Sequence, residues 1–325
     1  MAENELSDTN LAAIPVYENM AKALKRHGVT TVFGLVSDDT VCFCAALDSM
    51  GVRFIGARHE SQAVSMADGF AAATDGLGVA VIGRGPALAN GFNGIYFSNT
   101  TTNSVLVIVG EAPADAGLQH ATGPDYKQID FNQRRILEAA EIKTFVADHA
   151  KTAHQTLNDA VSYANGKRLA ALLIPKDLQQ HLIHPDSDST PPFKDPQQPD
   201  TCSSGPPANI SSIALAAGMI DRSRKPIILA GRGAFRSGAK QQLIELAQMT
   251  GALLGTSLLC KDWFLGHPYN IGVIGEFSHS MARRLMHDCD CVIAVGASLN
   301  LHTMNSGESF PDVPIIHIDS DRNAI

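Results

Sequence analysis

Short apolar runs alternate with segments of helical periodicity over the first half of the chain. The runs that predict strands are Thr31–Gly34, Arg53–Gly56, Val79–Ile82, Ser104–Val109, Lys143–Val146 and Ala170–Ile174. The segments that predict helices between most of them are Val16–Arg26, Thr40–Met50, Ser61–Thr74, Gly91–Ser98 and Thr152–Asn165. Short strands separated by helices form parallel sheets through right-handed crossovers. The runs are apolar throughout rather than alternating, which indicates that helices cover both faces of the sheet.

The pattern breaks at residues 184–209, HPDSDSTPPFKDPQQPDTCSSGPPAN, which are rich in Pro, Ser and Asp and predict an extended linker. It resumes with a helix in which Ile213, Ala216, Ala217 and Ile220 would share one face. Further strands are predicted at Pro226–Ala230, Leu253–Thr256, Cys291–Val295 and Pro314–Ile318, with helices at Lys240–Thr250 and Ser280–His287. We therefore predict an α/β protein with two doubly wound parallel-sheet domains, residues 10–183 and 210–325.

Composition narrows the class of protein. The chain has 325 residues, is 45% hydrophobic and carries a net charge of −8. It can bury a full core, and its charge argues against general binding to nucleic acid or to a membrane surface. No apolar run is long enough to cross a bilayer. The polar segment MAENELSDTN matches neither a secretory signal nor a transit peptide, so we expect a cytoplasmic protein.

Six cysteines are scattered along the chain, two pairs of them with C-x-C spacing. Both pairs, Cys42 with Cys44 and Cys289 with Cys291, lie in apolar segments with no nearby cluster of histidines. We therefore predict buried free thiols rather than a metal site.

Glu60 precedes an alanine-rich helix and is the first candidate for chemistry. The helix dipole would favour its anion, whereas burial among apolar neighbours would favour the neutral acid. Residues that recur at helical spacing after it form a mostly small, apolar face: Ala63, Ala67, Phe70, Ala71 and Thr74. The pattern alone leaves two interpretations open, an exposed glutamate that stabilises the helix end and a buried acid used in a reaction.

The segment HESQAVSMADGFAAATDGLGVAV resembles the pattern H-E-x-x-A-x-x-x-A-x-G-[FY]-A-x-x-[ST]-G-x-x-G-V, with Asp75 as an insertion before Gly76. That pattern is typical of the pyrimidine-binding domain of thiamine-diphosphate (ThDP) enzymes, the group around acetolactate synthase and the 2-oxoacid decarboxylases. The resemblance implies that Glu60 hydrogen-bonds N1′ of the cofactor's aminopyrimidine ring. The cofactor then loses its C2 proton and attacks a 2-oxo acid, while the protein orients and tunes it.

A second motif of that domain, G-P-G-x-x-N-x-x-x-G-[IL], is matched at Gly85, Pro86, Asn90, Gly91 and Gly94. Alanine replaces the second glycine and a usual threonine, at positions 87 and 89. A Gly-Pro turn entering a tightly packed helix would also explain these residues. The resemblance makes Gly85, Pro86 and Asn90 candidates for contact with the cofactor.

Three residues are candidates on the substrate side by the same resemblance: His59, His120 in GLQHATG, and Gln128 in DYKQIDF. Each of them also has an ordinary explanation as a loop residue bonded to backbone or solvent.

The segment Gly34-Leu35-Val36-Ser37 occupies the place of a G-x-P-G turn that is common in the family, but it lacks the Pro-Gly, and Asp38-Asp39 follows it. The Ser37-Asp38-Asp39 cluster predicts an N-cap for a helix beginning at Thr40.

The second half resembles the central domain of the same enzymes, through KPIILAGRGAFRSGAKQQLIELAQMTGALLG, DCVIAVGASL and PIIHIDSD. In acetolactate synthases this domain binds FAD and carries an Arg-rich run. Here the equivalent stretch reads LNLHTMNSGESF, so FAD is not expected. The glycines from Gly231 to Gly238 also suggest a dinucleotide-binding turn, although such a turn alone is weak evidence.

The family's third domain, which holds Mg²⁺ and the diphosphate through G-D-G and a later N-N, has no counterpart in this sequence. We therefore expect ThDP with Mg²⁺ only if such a domain is supplied, by the rest of a longer chain or by a partner. In the family, the pyrimidine domain of one subunit faces the diphosphate domain of another, which implies a homodimer or homotetramer.

Three functions follow as hypotheses. The first is a component or fragment of a ThDP-dependent 2-oxoacid lyase or carboligase in which Glu60 activates the aminopyrimidine. The second is a non-catalytic two-domain remnant that acts as a binding or dimerisation module. The third is a nucleotide-binding protein that uses the glycine-rich turn after Gly231.

Overall fold

The computed structural model describes residues 12–113, 132–184 and 208–321. The chain divides into two compact units, Met1–Gln198 and Pro199–Ile325. Most of the predicted linker 184–209 lies outside the described residues.

The first unit is an α/β structure. Its strands are β1 (Ile14–Pro15), β2 (Thr31–Gly34), β3 (Arg53–Gly56), β4 (Leu77–Ile82), β5 (Ser104–Glu111), β6 (Lys143–Val146), β7 (Leu169–Pro175) and β8 (Leu182–Ile183). Its described helices are α1 (Val16–Arg26), α2 (Val41–Ser49), α3 (Glu60–Thr74), α4 (Pro86–Thr100), α5 (Gln133–Ala139), α6 (Ala153–Asn165) and α7 (Lys176–Gln179). Six strands form a parallel sheet in the order β3-β2-β4-β5-β7-β6, and β1 pairs with β8 antiparallel.

Strand β5 shows why the strands carry no polar face. Val105, Val107 and Val109 belong to the core on the side of α3 and α4. Leu106 and Ile108 belong to the core on the side of α1, α2 and α6. Because helices cover both faces, successive residues of a central strand are buried on opposite sides. The doubly wound fold predicted from the sequence is confirmed.

Helix α3 lies directly on β4 at Gly78. A Cβ atom at this position would lie 1.9 Å from the carbonyl oxygen of Ala67 in α3. Real Cβ atoms do not approach a carbonyl oxygen so closely, so only glycine fits between the helix and the strand.

We therefore expect Gly78→Ala to destabilise the protein by at least about 1–3 kcal/mol, because the backbone of α3 must move to make room. Gly69 provides the matched control, since it lies within α3 and has nothing within 4 Å of its Cβ position. Gly69→Ala should be neutral or stabilise by about 0.5–1 kcal/mol, through higher helix propensity. Thermal unfolding followed by circular dichroism compares the two variants, and equal midpoints would contradict the packing argument.

The second unit contains a five-stranded parallel sheet in the order β11-β10-β9-β12-β13. Its strands are β9 (Pro226–Ala230), β10 (Leu253–Thr256), β11 (Asn270–Val273), β12 (Cys291–Val295) and β13 (Ile315–Ile318). Its helices are α8 (Ile210–Arg222), α9 (Arg232–Arg236), α10 (Lys240–Thr250), α11 (Ser280–His287) and α12 (Leu301–Met304), with 3₁₀ turns at Leu258–Cys260 and Asn305–Gly307.

The predicted core face of α8 is partly wrong. Ala216 and Ile220 do pack against the core, together with Met219. Ile213, however, is 54% exposed. The helix touches the sheet with its C-terminal half, so the apolar side chains of its first turns do not reach the core.

The described cysteines are free thiols, as predicted. Cys44, Cys260, Cys289 and Cys291 are buried, and Cys42 is half-buried. Burial raises the pKa of the Cys44 thiol to about 11, which makes it a poor nucleophile near neutral pH. Among the described residues no group of three or more His, Cys, Asp or Glu side chains could hold a metal ion. No helix in the same ranges is long and apolar enough to cross a bilayer.

Candidate functional site

Glu60 lies at the carboxyl edge of the first sheet, as the first residue of α3 after strand β3. It is only 7% exposed, so the interpretation as an exposed first-turn glutamate is wrong. Within the described ranges its carboxylate has no hydrogen-bond or ion-pair partner. Its oxygens are not among the side-chain atoms that are fully closed off from solvent without a partner, so the carboxylate reaches a surface that a ligand can approach. Glu60 is therefore the residue around which a ligand site is to be sought.

His59 caps the helix that Glu60 begins. Its Nδ1 accepts a hydrogen bond from the backbone N–H of Ser61 at 3.2 Å, and the side chain is exposed. A hydrogen bond to the backbone is the ordinary explanation given for His59 above. Its substrate-side role stays a prediction.

Helix α4 packs against α3 through two glycines. A Cβ at Gly91 would lie 2.9 Å from Cδ1 of Ile82 and 3.5 Å from Cβ of Glu60. A Cβ at Gly94 would lie 2.7 Å from the carbonyl oxygen of Ser61. The small residues of the second motif therefore let α4 approach the Glu60 end of α3 closely.

Gly85 and Pro86 begin α4. Gly85 is the N-cap and has a φ of 58°, in the left-handed region that glycine adopts without strain. Pro86 is the first helical residue, where its missing N–H costs nothing. Gly85 is buried, whereas Pro86 and Asn90 are exposed. Contact of these residues with a cofactor stays a prediction. His120 and Gln128 lie outside the described residues.

An ion pair that the sequence pattern did not reveal joins the loops after β2 and β4. The Nε of Arg84 lies 3.1 Å from Oδ1 of Asp39, and each side chain is only 4% exposed. The backbone N–H of Arg84 also donates to Oδ2 of Asp39 at 3.3 Å. Burial raises the pKa of the Asp39 carboxyl, and the Arg84 guanidinium opposes this rise.

The predicted N-cap role of Ser37-Asp38-Asp39 is wrong. Helix α2 begins at Val41 with Thr40 as its N-cap, and no side chain caps it. Asp38 instead pairs with Lys176 at 2.8 Å, and this hydrogen bond holds the pKa of Asp38 below its usual value. Asp38 and Asp39 bind cations from other loops because both residues lie at the crowded carboxyl edge of the sheet.

Gln133 links the end of β5 to the loop after β4 at this edge. Its side chain is 2% exposed. The Nε2 group donates to the carbonyl of Gly110 at 2.8 Å, and Oε1 accepts from the backbone N–H of Gly85 at 3.1 Å. Sequence reasoning missed Gln133, because a lone glutamine beside a short amphipathic helix carries no distinguishing signal.

The glycine-rich turn of the second unit serves loop packing. The N–H groups of Gly231 and Gly233 donate to the carbonyls of Val295 and Gly296, both at 2.9 Å. A Cβ at Gly231 would lie 2.1 Å from the Gly296 oxygen. The close contact between the loops after β9 and β12 therefore explains why glycines occupy positions 231 and 233. A bound phosphate is not needed to explain them.

A buried acid at the carboxyl edge of one parallel α/β unit, with a second α/β unit after it, is the arrangement that the resemblance implies. Residues 15–131 match the model of the N-terminal TPP-binding domain of thiamine pyrophosphate enzymes, and residues 213–325 match the model of their central domain. The chain belongs to the thiamine pyrophosphate enzyme family.

Curated relatives agree with this assignment. The chain is 29% identical over 309 residues to a probable acetolactate synthase large subunit of Methanocaldococcus jannaschii, covering 94% of this chain and 51% of the relative. It is 26% identical over 313 residues to the acetolactate synthase large subunit of Haemophilus influenzae, covering 95% of this chain and 53% of that relative. It is also 26% identical over 314 residues to a probable sulfoacetaldehyde acetyltransferase of Rhizobium meliloti, covering 95% of this chain and 50% of that relative. The chain spans about half the length of these relatives.

Proposed function

We propose that this chain is the pyrimidine-binding and central-domain part of a ThDP-dependent 2-oxoacid lyase or carboligase that resembles acetolactate synthase. Glu60 activates the cofactor in this enzyme. The observation that carries the proposal is the buried Glu60 carboxylate, which has no partner among the described residues.

The site suits an aminopyrimidine ring. A carboxyl group that can hold or share a proton matches a ring nitrogen, and the glycine contact between α3 and α4 keeps bulky side chains away from Cβ of Glu60. ThDP would supply, when bound, a nucleophilic carbon for the carbonyl of the 2-oxo acid and a cationic ring that takes up the electrons released when the carboxylate leaves. Glu60 itself would hold a proton at N1′ of the ring, and its low exposure would exclude competing water.

The relatives support a reaction class more than a particular substrate. Two of the relatives reported above are named as acetolactate synthase large subunits, and another is named as a probable sulfoacetaldehyde acetyltransferase. We therefore propose a 2-oxo acid donor and leave the acceptor unnamed. Mg²⁺ and the diphosphate would be held by a further domain, on the same polypeptide or on a partner. A homodimer or homotetramer would place such a domain opposite Glu60. FAD is not part of the proposal.

Isothermal titration calorimetry tests the assignment. The protein, together with its diphosphate-binding domain, is titrated with ThDP in the presence and absence of Mg²⁺. We expect saturable binding that depends on the metal, since the diphosphate needs its charge neutralised. A titration without heat in both conditions would refute the enzyme function and favour the non-catalytic remnant.

A further inference from the structure

The strand order of the first sheet reverses between β2 and β4. Strand β3 lies on one side of β2, and β4 lies on the other side. At such a switch point the following loops lead to opposite faces, and the crevice between them is where open α/β sheets generally bind ligands. In this chain the two loops are tied together by the Asp39–Arg84 ion pair.

Asp39 also contacts residues in or directly after two other central strands, β5 and β7. Its carbonyl accepts a hydrogen bond at 2.8 Å from Nε2 of Gln179, at the end of the short helix after β7. Its Cβ lies only 2.5 Å from where a Cβ of Gly110 in β5 would be, so the two residues pack closely. Asp39 therefore fixes the loop after β4 relative to the ends of β2, β5 and β7.

Helix α4 connects the loop that Asp39 holds to Glu60. Arg84 directly precedes Gly85, the N-cap of α4, and Gln133 holds the N–H of Gly85. One and a half turns later, Gly91 packs near Cβ of Glu60. Any shift of the loop would move α4 against the acid.

We propose that the Asp39–Arg84 ion pair and Gln133 are positioning residues that hold the loop before α4, and with it α4, where the aminopyrimidine ring of the cofactor meets Glu60. The inference rests on the proposed function. A buried ion pair is weak evidence for stability, because two apolar side chains of similar volume often stabilise a fold equally well. A role in fixing geometry accounts for the pair better.

The double variant Asp39→Leu/Arg84→Met tests this role. It removes both charges together but leaves the backbone N–H of residue 84 without its acceptor, so the melting temperature should fall less than in the Arg84→Met single variant. The calorimetric affinity for ThDP with Mg²⁺ should nevertheless fall about tenfold to a hundredfold, because small misplacements at a site have effects of this size. KM for ThDP should rise accordingly while kcat at saturating cofactor changes less.

The matched control is Glu18→Leu/Lys22→Met, which removes an ion pair on the surface of α1 by the same types of substitution. It should leave ThDP affinity unchanged. Should the Asp39/Arg84 variant fail to fold, Gln133→Met takes its place, since it removes both hydrogen bonds of Gln133 without adding charge. The same loss of affinity is expected.

A folded double variant with wild-type affinity for ThDP would overturn the positioning role. This outcome differs from failure of the proposed function, in which the wild-type protein itself does not bind ThDP.

Discussion

Glu60→Gln should slow exchange of the C2 proton of bound ThDP by roughly 10²–10⁴-fold, the range that positioned acid–base groups contribute. The glutamine side chain has the same shape but cannot release a proton to N1′ of the ring or take one from it. Exchange is measured in D₂O by proton NMR after acid quench, with ThDP, Mg²⁺ and the diphosphate-binding domain present. The measurement needs no substrate, so it tests the role of Glu60 without any assumption about the donor or the acceptor.

Glu138→Gln serves as the control, because Glu138 is an exposed glutamate on α5. It should leave the exchange rate unchanged. If Glu60→Gln exchanged the proton as fast as the wild type while binding ThDP normally, Glu60 would have no part in activating the cofactor.

Arg84→Met alone should destabilise the first unit by about 3–5 kcal/mol, the cost of leaving one member of a buried ion pair without its partner. The carboxylate of Asp39 would then remain at 4% exposure without a cation. Urea unfolding should be followed by far-UV circular dichroism. The single tryptophan, Trp263, lies in the second unit and would not report on the first.

Lys22→Met is the matched control for this prediction. Lys22 pairs with Glu18 at 2.8 Å, and the two side chains are 38% and 33% exposed. Exposed pairs contribute little, so the loss should stay below about 1 kcal/mol. Equal losses in both variants would mean that burial does not determine the cost.

Strands bounded by clear breaks could be predicted from the sequence. The predicted bounds of β2, β3 and β6 agree with the structure, because each is a compact apolar run between turn residues. Helix α4 begins five residues earlier than predicted, because Pro86 was interpreted as part of a turn although proline is favoured at the first position of a helix. Strand β11 was missed, since Asn270 and Gly272 interrupt its apolar pattern.

Only part of the candidate site could be predicted from the sequence. Glu60 could be singled out by its motif, but its burial depends on how closely α4 approaches α3. The pairing of Asp39 with Arg84 spans 45 positions and exists only because β2 and β4 are neighbours in the sheet. Local periodicity holds no information about such a contact, which depends on strand order.

The contacts of Asp39 have a consequence for protein engineering. A chimaera that receives only the β2–α2 loop of a relative with a different residue at position 39 would lose the carboxylate that pairs with Arg84. We therefore expect loop exchange with a relative to preserve the fold best when residues 35–40 and 83–86 are transplanted as one unit, with position 133 chosen to match.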